Sequence, residues 1–347
     1  MNKILFIRLD KIGDLVCTLC ADEHPSLKED SKHWLISKGL EFIPEHAVPK
    51  RKYSTLTKDW QGFKKLYQVL KDGFFDASVS FQCPWWVHFL LFYFRVPIRV
   101  GVLSKWHSFV FLNAGLRQKR SQAERHESDY NFQLVQVLAE KLNGTKITSL
   151  PTPALKLEAG KNEILLHKWH LKDHSYFIVH PGMAGSSLNW PQDRYVQFIS
   201  DFHGAYPDLK IVMTGTAADS EYLDQILSRF EGNDFFLSLQ GKINSYELLS
   251  LLSSSAGILA PSTGVLHLAA SLGVPTFGIF SPVKVQHPTR WAPRGPITKT
   301  YLPRVKCPAK HECLKEKCPY FNCMDEIDVF DDFKVEFSKT RSQEFTP

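Results

Sequence analysis

Lys3-Ile4-Leu5-Phe6-Ile7-Arg8-Leu9-Asp10-Lys11-Ile12-Gly13-Asp14 is the stretch on which the fold reading turns. Lys3 to Leu9 is an apolar run of strand length, Asp10 to Asp14 breaks it, and Leu15 to Leu19 resumes with helical character. Strand, glycine turn and helix open a doubly wound α/β unit, and such sheets bind ligands where the first strand ends. Gly13 lets the backbone turn sharply there. Asp14 either accepts a proton from an attacking hydroxyl or caps the following helix. Arg8 and Lys11 either neutralise a phosphate or are ordinary exposed charges.

Outward from this opening the pattern repeats. Trp34 to Ile36, Asp76 to Phe81 and Ile98 to Gly101 read as strands, with helices over Thr57 to Lys71, Trp85 to Phe94 and Asp129 to Leu142. Pro151-Thr152-Pro153 stiffens a connector, and the alternation then restarts. Strands are expected at Tyr176 to His180, Leu209 to Thr214, Gly257 to Ala260 and Val274 to Phe280. The expectation is an α/β protein of two parallel-sheet domains, 1–153 and 154–325, followed by a tail, 326–347, that packs back toward the first domain.

Composition sets the class. The 347 residues are 44% hydrophobic, enough for two cores. No secretory signal is expected at the start, and the longest apolar stretch, Trp85 to Phe94, is about half of what a bilayer crossing needs. A cytoplasmic chain, at most peripheral on a membrane, is therefore expected. Residues 1–155 carry 22 Lys/Arg against 15 Asp/Glu, whereas residues 156–347 carry 20 against 21. A basic first half suggests a large anionic partner and a neutral second half a small one, unless the difference is chance variation on solvated surfaces.

Two further motifs can hold anions. His180-Pro181-Gly182-Met183-Ala184-Gly185-Ser186-Ser187 follows a strand with small residues whose N–H groups can point at one phosphate. Ser262-Thr263-Gly264 turns from a strand onto a helix N-terminus, which suits a diphosphate leaving group without a metal ion. His267, one turn on, faces the phosphates or packs against the sheet. Cys307, Cys313, Cys318 and Cys323 are spaced too widely for a usual zinc site, so packing thiols or a redox-labile pair outweigh structural zinc, and no metal ligands are assigned.

In order along the chain, Leu9 to Asp14, Arg99-Val100-Gly101, His126-Glu127, Asn131, His180-Pro181-Gly182, Asn189-Trp190-Pro191, Gly241-Lys242, Ser262 to His267 and Arg290-Trp291-Ala292-Pro293 resemble glycosyltransferase family 9. Its best-known members are ADP-heptose:lipopolysaccharide heptosyltransferases. The resemblance implies a GT-B fold, two Rossmann-like domains facing a central cleft. It also implies an inverting, metal-independent transfer from a nucleotide sugar, a co-substrate rather than a cofactor, onto an anionic envelope glycolipid. Nucleic acid is not among the implied partners; the inner-membrane cytoplasmic leaflet is.

Under this resemblance Asp14 is the general base, and Lys11 and Arg8 meet the acceptor. Gly13, Ser186, Ser187, Lys242, Ser262, Thr263, Gly264 and His267 hold the donor. Two departures matter: Leu188 stands where heptosyltransferases carry a lysine, and Ser262 where they carry an aspartate. A lost phosphate-facing lysine removes a contact worth roughly 1.5–3 kcal/mol. Another nucleotide-sugar donor, a glycolipid-binding protein without turnover and a nucleotide-sugar epimerase are the alternatives. The Trp85 to Phe94 helix is either buried or dips into lipid, helped by Lys50, Arg51, Lys52, Arg117, Lys119 and Arg120.

Overall fold

The computed structural model describes residues 1–144, 150–183, 185 and 187–344. The chain divides into two compact units, Met1–Arg120 with Arg125–Leu155, and Ser121–Glu124 with Lys156–Pro347. The change-over comes at Leu155, just past the two prolines.

In the first unit, β1 (Lys3–Arg8), β2 (Ser31–Ser37), β3 (Tyr53–Leu56), β4 (Ala77–Gln82), β5 (Ile98–Val102) and β6 (Ala114–Leu116) form one parallel sheet. Its order is β3-β2-β1-β4-β5-β6. Central strands covered on both faces need apolar residues throughout, and Ile4 to Ile7 are fully buried. Phe6 stacks on Trp34 at 4.9 Å, one strand across.

The second unit repeats the plan with β7 (Tyr176–Val179), β8 (Lys210–Met213), β9 (Phe236–Ser238), β10 (Gly257–Pro261), β11 (Thr276–Ile279) and β12 (Thr298–Tyr301). These too are all parallel, in the order β12-β11-β10-β7-β8-β9. In each sheet the strand order reverses beside the first strand, between β1 and β4 and between β7 and β10. A crevice opens at the carboxyl ends of the strands at such a point. The segments that reach these two crevices are the loops after β1, β4, β7 and β10.

The tail departs from expectation. Helix Phe330–Glu344 belongs to the second unit, where Phe333 and Phe337 are fully buried against Phe177, Phe202 and Phe277. These rings make the helix part of the second unit's core.

Candidate active site

In the first unit β1 delivers Arg8 to its carboxyl end with the guanidinium buried at 3% exposure. Three carboxylates meet it: Asp14 in a short ion pair, Asp10 at 3.2 Å and Glu127 at 3.5 Å. Glu127 is itself fully buried and also takes Arg120, while Lys58 reaches Asp10 at 3.2 Å. The elements that bring these together are β1, helix Ile12–Leu19 and helix Glu127–Asn143. The last two are tied by Asn131, whose Nδ2 donates to the Thr18 hydroxyl at 2.9 Å and whose Oδ1 accepts from Arg120.

Asp14 does not cap its helix. It lies inside the first turn, the cap position is Lys11, and its carboxylate turns to Arg8. Burial raises the Asp14 pKa above the usual carboxylate range; Arg8 pulls it back, while Asp10 and Glu127 push it up. The result is a partly exposed carboxylate, fixed in place, with a raised affinity for a proton. Such a carboxylate can accept a proton.

Gly13 is helical and buried, so the turn is made by Asp10 and Lys11 rather than by the glycine. Arg8, read from sequence as an acceptor-facing cation, is the buried anchor of Asp14. Lys11 is exposed beside it. Arg51 and Arg120, expected at a membrane, are also held inward: Arg51 by Asp22 and Glu23 at 3.0 and 2.6 Å, Arg120 by Glu127.

In the second unit the loops after β7 and β10 meet at the reversal. His180 continues β7, its N–H donating to Leu259 of β10, and its Nδ1 shares a hydrogen bond with the Thr214 hydroxyl at 2.8 Å. Burial pushes the His180 pKa down to about 4, leaving the ring neutral near neutrality. Gly182 passes so close to Asp219 that a β-carbon there would stand 2.6 Å from the carboxylate, so a larger residue would have to displace that side chain. The Ser187 hydroxyl donates to Gln286 at 3.1 Å, and the Leu188 N–H reaches the same oxygen. Ser186 lies outside the described residues.

After β10, Thr263 caps helix Gly264–Ser271 by accepting from Val265 N–H at 3.0 Å, and Ser262 stands half-buried beside the cap. The helix end carries roughly half a positive charge toward the carboxyl edge of the sheet. His267 is buried, edge-on to Trp291 at 6.4 Å. Lys242 lies past the carboxyl end of β9, its ammonium on the Ser238 carbonyl at 2.9 Å. That edge strand is three places from β10, roughly 14 Å by strand spacing. Ser262, Thr263 and Gly264 thus stand at the crevice between β7 and β10, Ser187 is held by Gln286 of the loop after β11, and Lys242 lies past the edge strand β9.

With this geometry in view, the sequence model of glycosyltransferase family 9 (heptosyltransferase) matches residues 63–320, well over half of the chain. The chain belongs to glycosyltransferase family 9. A Haemophilus influenzae protein provisionally named a glycosyltransferase is 26% identical over 86% of this chain and 88% of its own length. The lipopolysaccharide core heptosyltransferase OpsX of the same organism is 20% identical over 84% and 82%. E. coli ADP-heptose LPS heptosyltransferase II has a similar solved structure, with a TM-score of 0.75, 15% identity and coverage of 98% and 99%. The fold of this family 9 chain is therefore GT-B.

Against the family pattern, Leu188 packs on the core of the second unit, with Gln286 bracing its backbone. The four late cysteines line one cavity of about 470 Å³ together with Leu188, Asn189 and Asp325. None of the seven cysteines is joined in a disulfide. Among the described residues no three His, Cys, Asp or Glu side chains are grouped to hold a metal ion. Sequence reading passed over Asp10, Glu127 and Gln286 as site residues. The signal for Glu127 was its place in the His126-Glu127 pair.

Proposed function

We propose that the protein is an inverting glycosyltransferase that moves a sugar, heptose from ADP-heptose first among candidates, onto a lipopolysaccharide core or related envelope glycolipid. The first unit supplies the base and the second the electrophile. The acceptor hydroxyl gives its proton to Asp14 as its oxygen attacks the anomeric carbon. The bond to the diphosphate breaks, and the electron pair leaves on the nucleoside diphosphate. The end of helix Gly264–Ser271, with Ser262 and the Ser187 loop, meets that charge, so the step calls for no metal ion. A lipid-linked acceptor places this work at the cytoplasmic leaflet of the inner membrane.

The observation that carries the reading is the partly exposed carboxylate of Asp14, fixed by the buried Arg8 guanidinium at the carboxyl end of β1. Incubation with ADP-heptose, UDP-hexoses and core-truncated glycolipids, followed by mass analysis, tests it. A heptose mass increment on the glycolipid is expected. Transfer from a UDP donor alone would replace heptose, and unchanged glycolipid with every donor would contradict transfer.

A further inference from the structure

Three helices of the first unit each begin with an exposed tryptophan at the carboxyl edge of the sheet. Trp60 opens helix Trp60–Asp72 after β3, Trp85 opens Trp85–Tyr93 after β4, and Trp106 opens Trp106–Phe111 after β5. Their exposures are 64%, 53% and 69%. The helices lie side by side, joined through Phe63 against Trp86 and Phe89 against Phe111. Down the same layer Phe92, Tyr93 and Phe109 are also exposed. Helix Trp85–Tyr93 turns only Val87, His88, Leu90 and Leu91 inward, so an apolar helix keeps a second apolar face outside.

Charge narrows what covers this face. From Ala77 to Ala123 the sequence holds six Lys/Arg and no Asp or Glu. Arg120 is occupied by Glu127, but Arg99 lies over the Phe92 ring at 5.5 Å, Arg117 over Phe109 at 5.7 Å, and Lys64 over Trp60 at 5.5 Å. Lys105 stands beside Trp106 at the helix start. Lys50 and Lys52, by contrast, lead into β3 at the amino edge. Aromatic rings with a wet edge, rimmed by cations and, apart from the cap Asp59 beside Trp60, with no carboxylate from β4 to past β6, match the boundary between lipid headgroups and acyl chains. A protein partner would need no such exclusion of acids.

We propose that this aromatic face of the first unit docks on an anionic lipid bilayer with its tryptophan edge at the headgroups. That edge is the carboxyl end of the sheet, where Asp14 also stands. A lipid-anchored acceptor thus meets the base without leaving the membrane. This purpose rests on the proposed glycolipid acceptor; the docking itself is measured without turnover.

Co-sedimentation of the full chain with vesicles of equimolar phosphatidylcholine and phosphatidylglycerol is the test. Wild type is expected to pellet with these vesicles, to be released by salt and to ignore pure phosphatidylcholine. Trp60→Ser/Trp85→Ser/Trp106→Ser should lose about ten-fold or more in vesicle affinity. Phe74→Ser removes a 91% exposed phenylalanine at the amino edge and should lose none. The triple variant, checked for an unchanged melting temperature, should still transfer to a water-soluble core oligosaccharide at the wild-type rate.

Wild type that stays in the supernatant, or a triple variant that binds as wild type does, overturns the proposal. So does a wild-type dimer that the three serines dissolve. Vesicle binding with no transfer to any acceptor would sustain the docking surface and remove the transferase reading.

Discussion

Asp10, Asp14 and Glu127 compete for one buried guanidinium, and the consequences are measurable side chain by side chain. Removing one partner of a buried ion pair leaves charge without compensation, at a cost of about 3–5 kcal/mol. Arg8→Met should lower the free energy of urea unfolding by about that much; an unchanged midpoint would mean the cluster does not hold the strand end. As the proposed base Asp14 must be ionised to act, and its pKa is raised by burial, so activity should fall on acidification at a higher pH than for an ordinary carboxylate. Glu127 pushes the same pKa up. Glu127→Gln should therefore move the acid limb of the kcat profile to lower pH; a limb that stays or rises would show the charge is not felt. Sequence placed Arg8 beside Asp14 but misread its partner. Nothing local reveals that Glu127, on a distant helix, will be buried against it, whereas β1 itself was plain from its apolar run.

At the scale of elements, the eight strands that sequence displayed are the inner ones. The four it did not show, β3, β6, β9 and β12, are the four sheet edges. Tyr53–Leu56, Ala114–Leu116, Phe236–Ser238 and Thr298–Tyr301 are mostly half-buried or exposed, so no continuous apolar run marks them. The crevices suffered less, because loops after inner strands carry strong glycine and serine signals. Only pairing, however, shows that β7 and β10 are neighbours and that β9 carries Lys242 away from them. The end of β7 also holds a titrating group. His180 is depressed to about 4 in the folded state and returns to an ordinary histidine value on unfolding. Its contribution is complete above the unfolded value and is lost as pH falls toward the folded one, by about 1.4 kcal/mol per pH unit. Across that acid window the stability of His180→Asn should decline less steeply than that of wild type; parallel slopes would contradict a neutral, buried ring.

The whole molecule holds two sheets of the same topology, the second of them closed off by the tail helix. Phe333 sits against Phe177 and Phe277, so Phe333→Ala should destabilise the second unit by about 3–5 kcal/mol in denaturant titration. A loss confined to the first unit's transition would instead return the tail to that half, where sequence had put it. The proposed chemistry separates along the same line, with proton removal in the first unit and diphosphate binding in the second. Asp14→Ala exposes that separation. Assayed with a nucleotide sugar and glycolipid acceptor, the variant should lose transfer by about 10²-fold or more, while calorimetry finds nucleoside diphosphate affinity unchanged. Transfer at the wild-type rate by Asp14→Ala would contradict the assignment of Asp14 as the base.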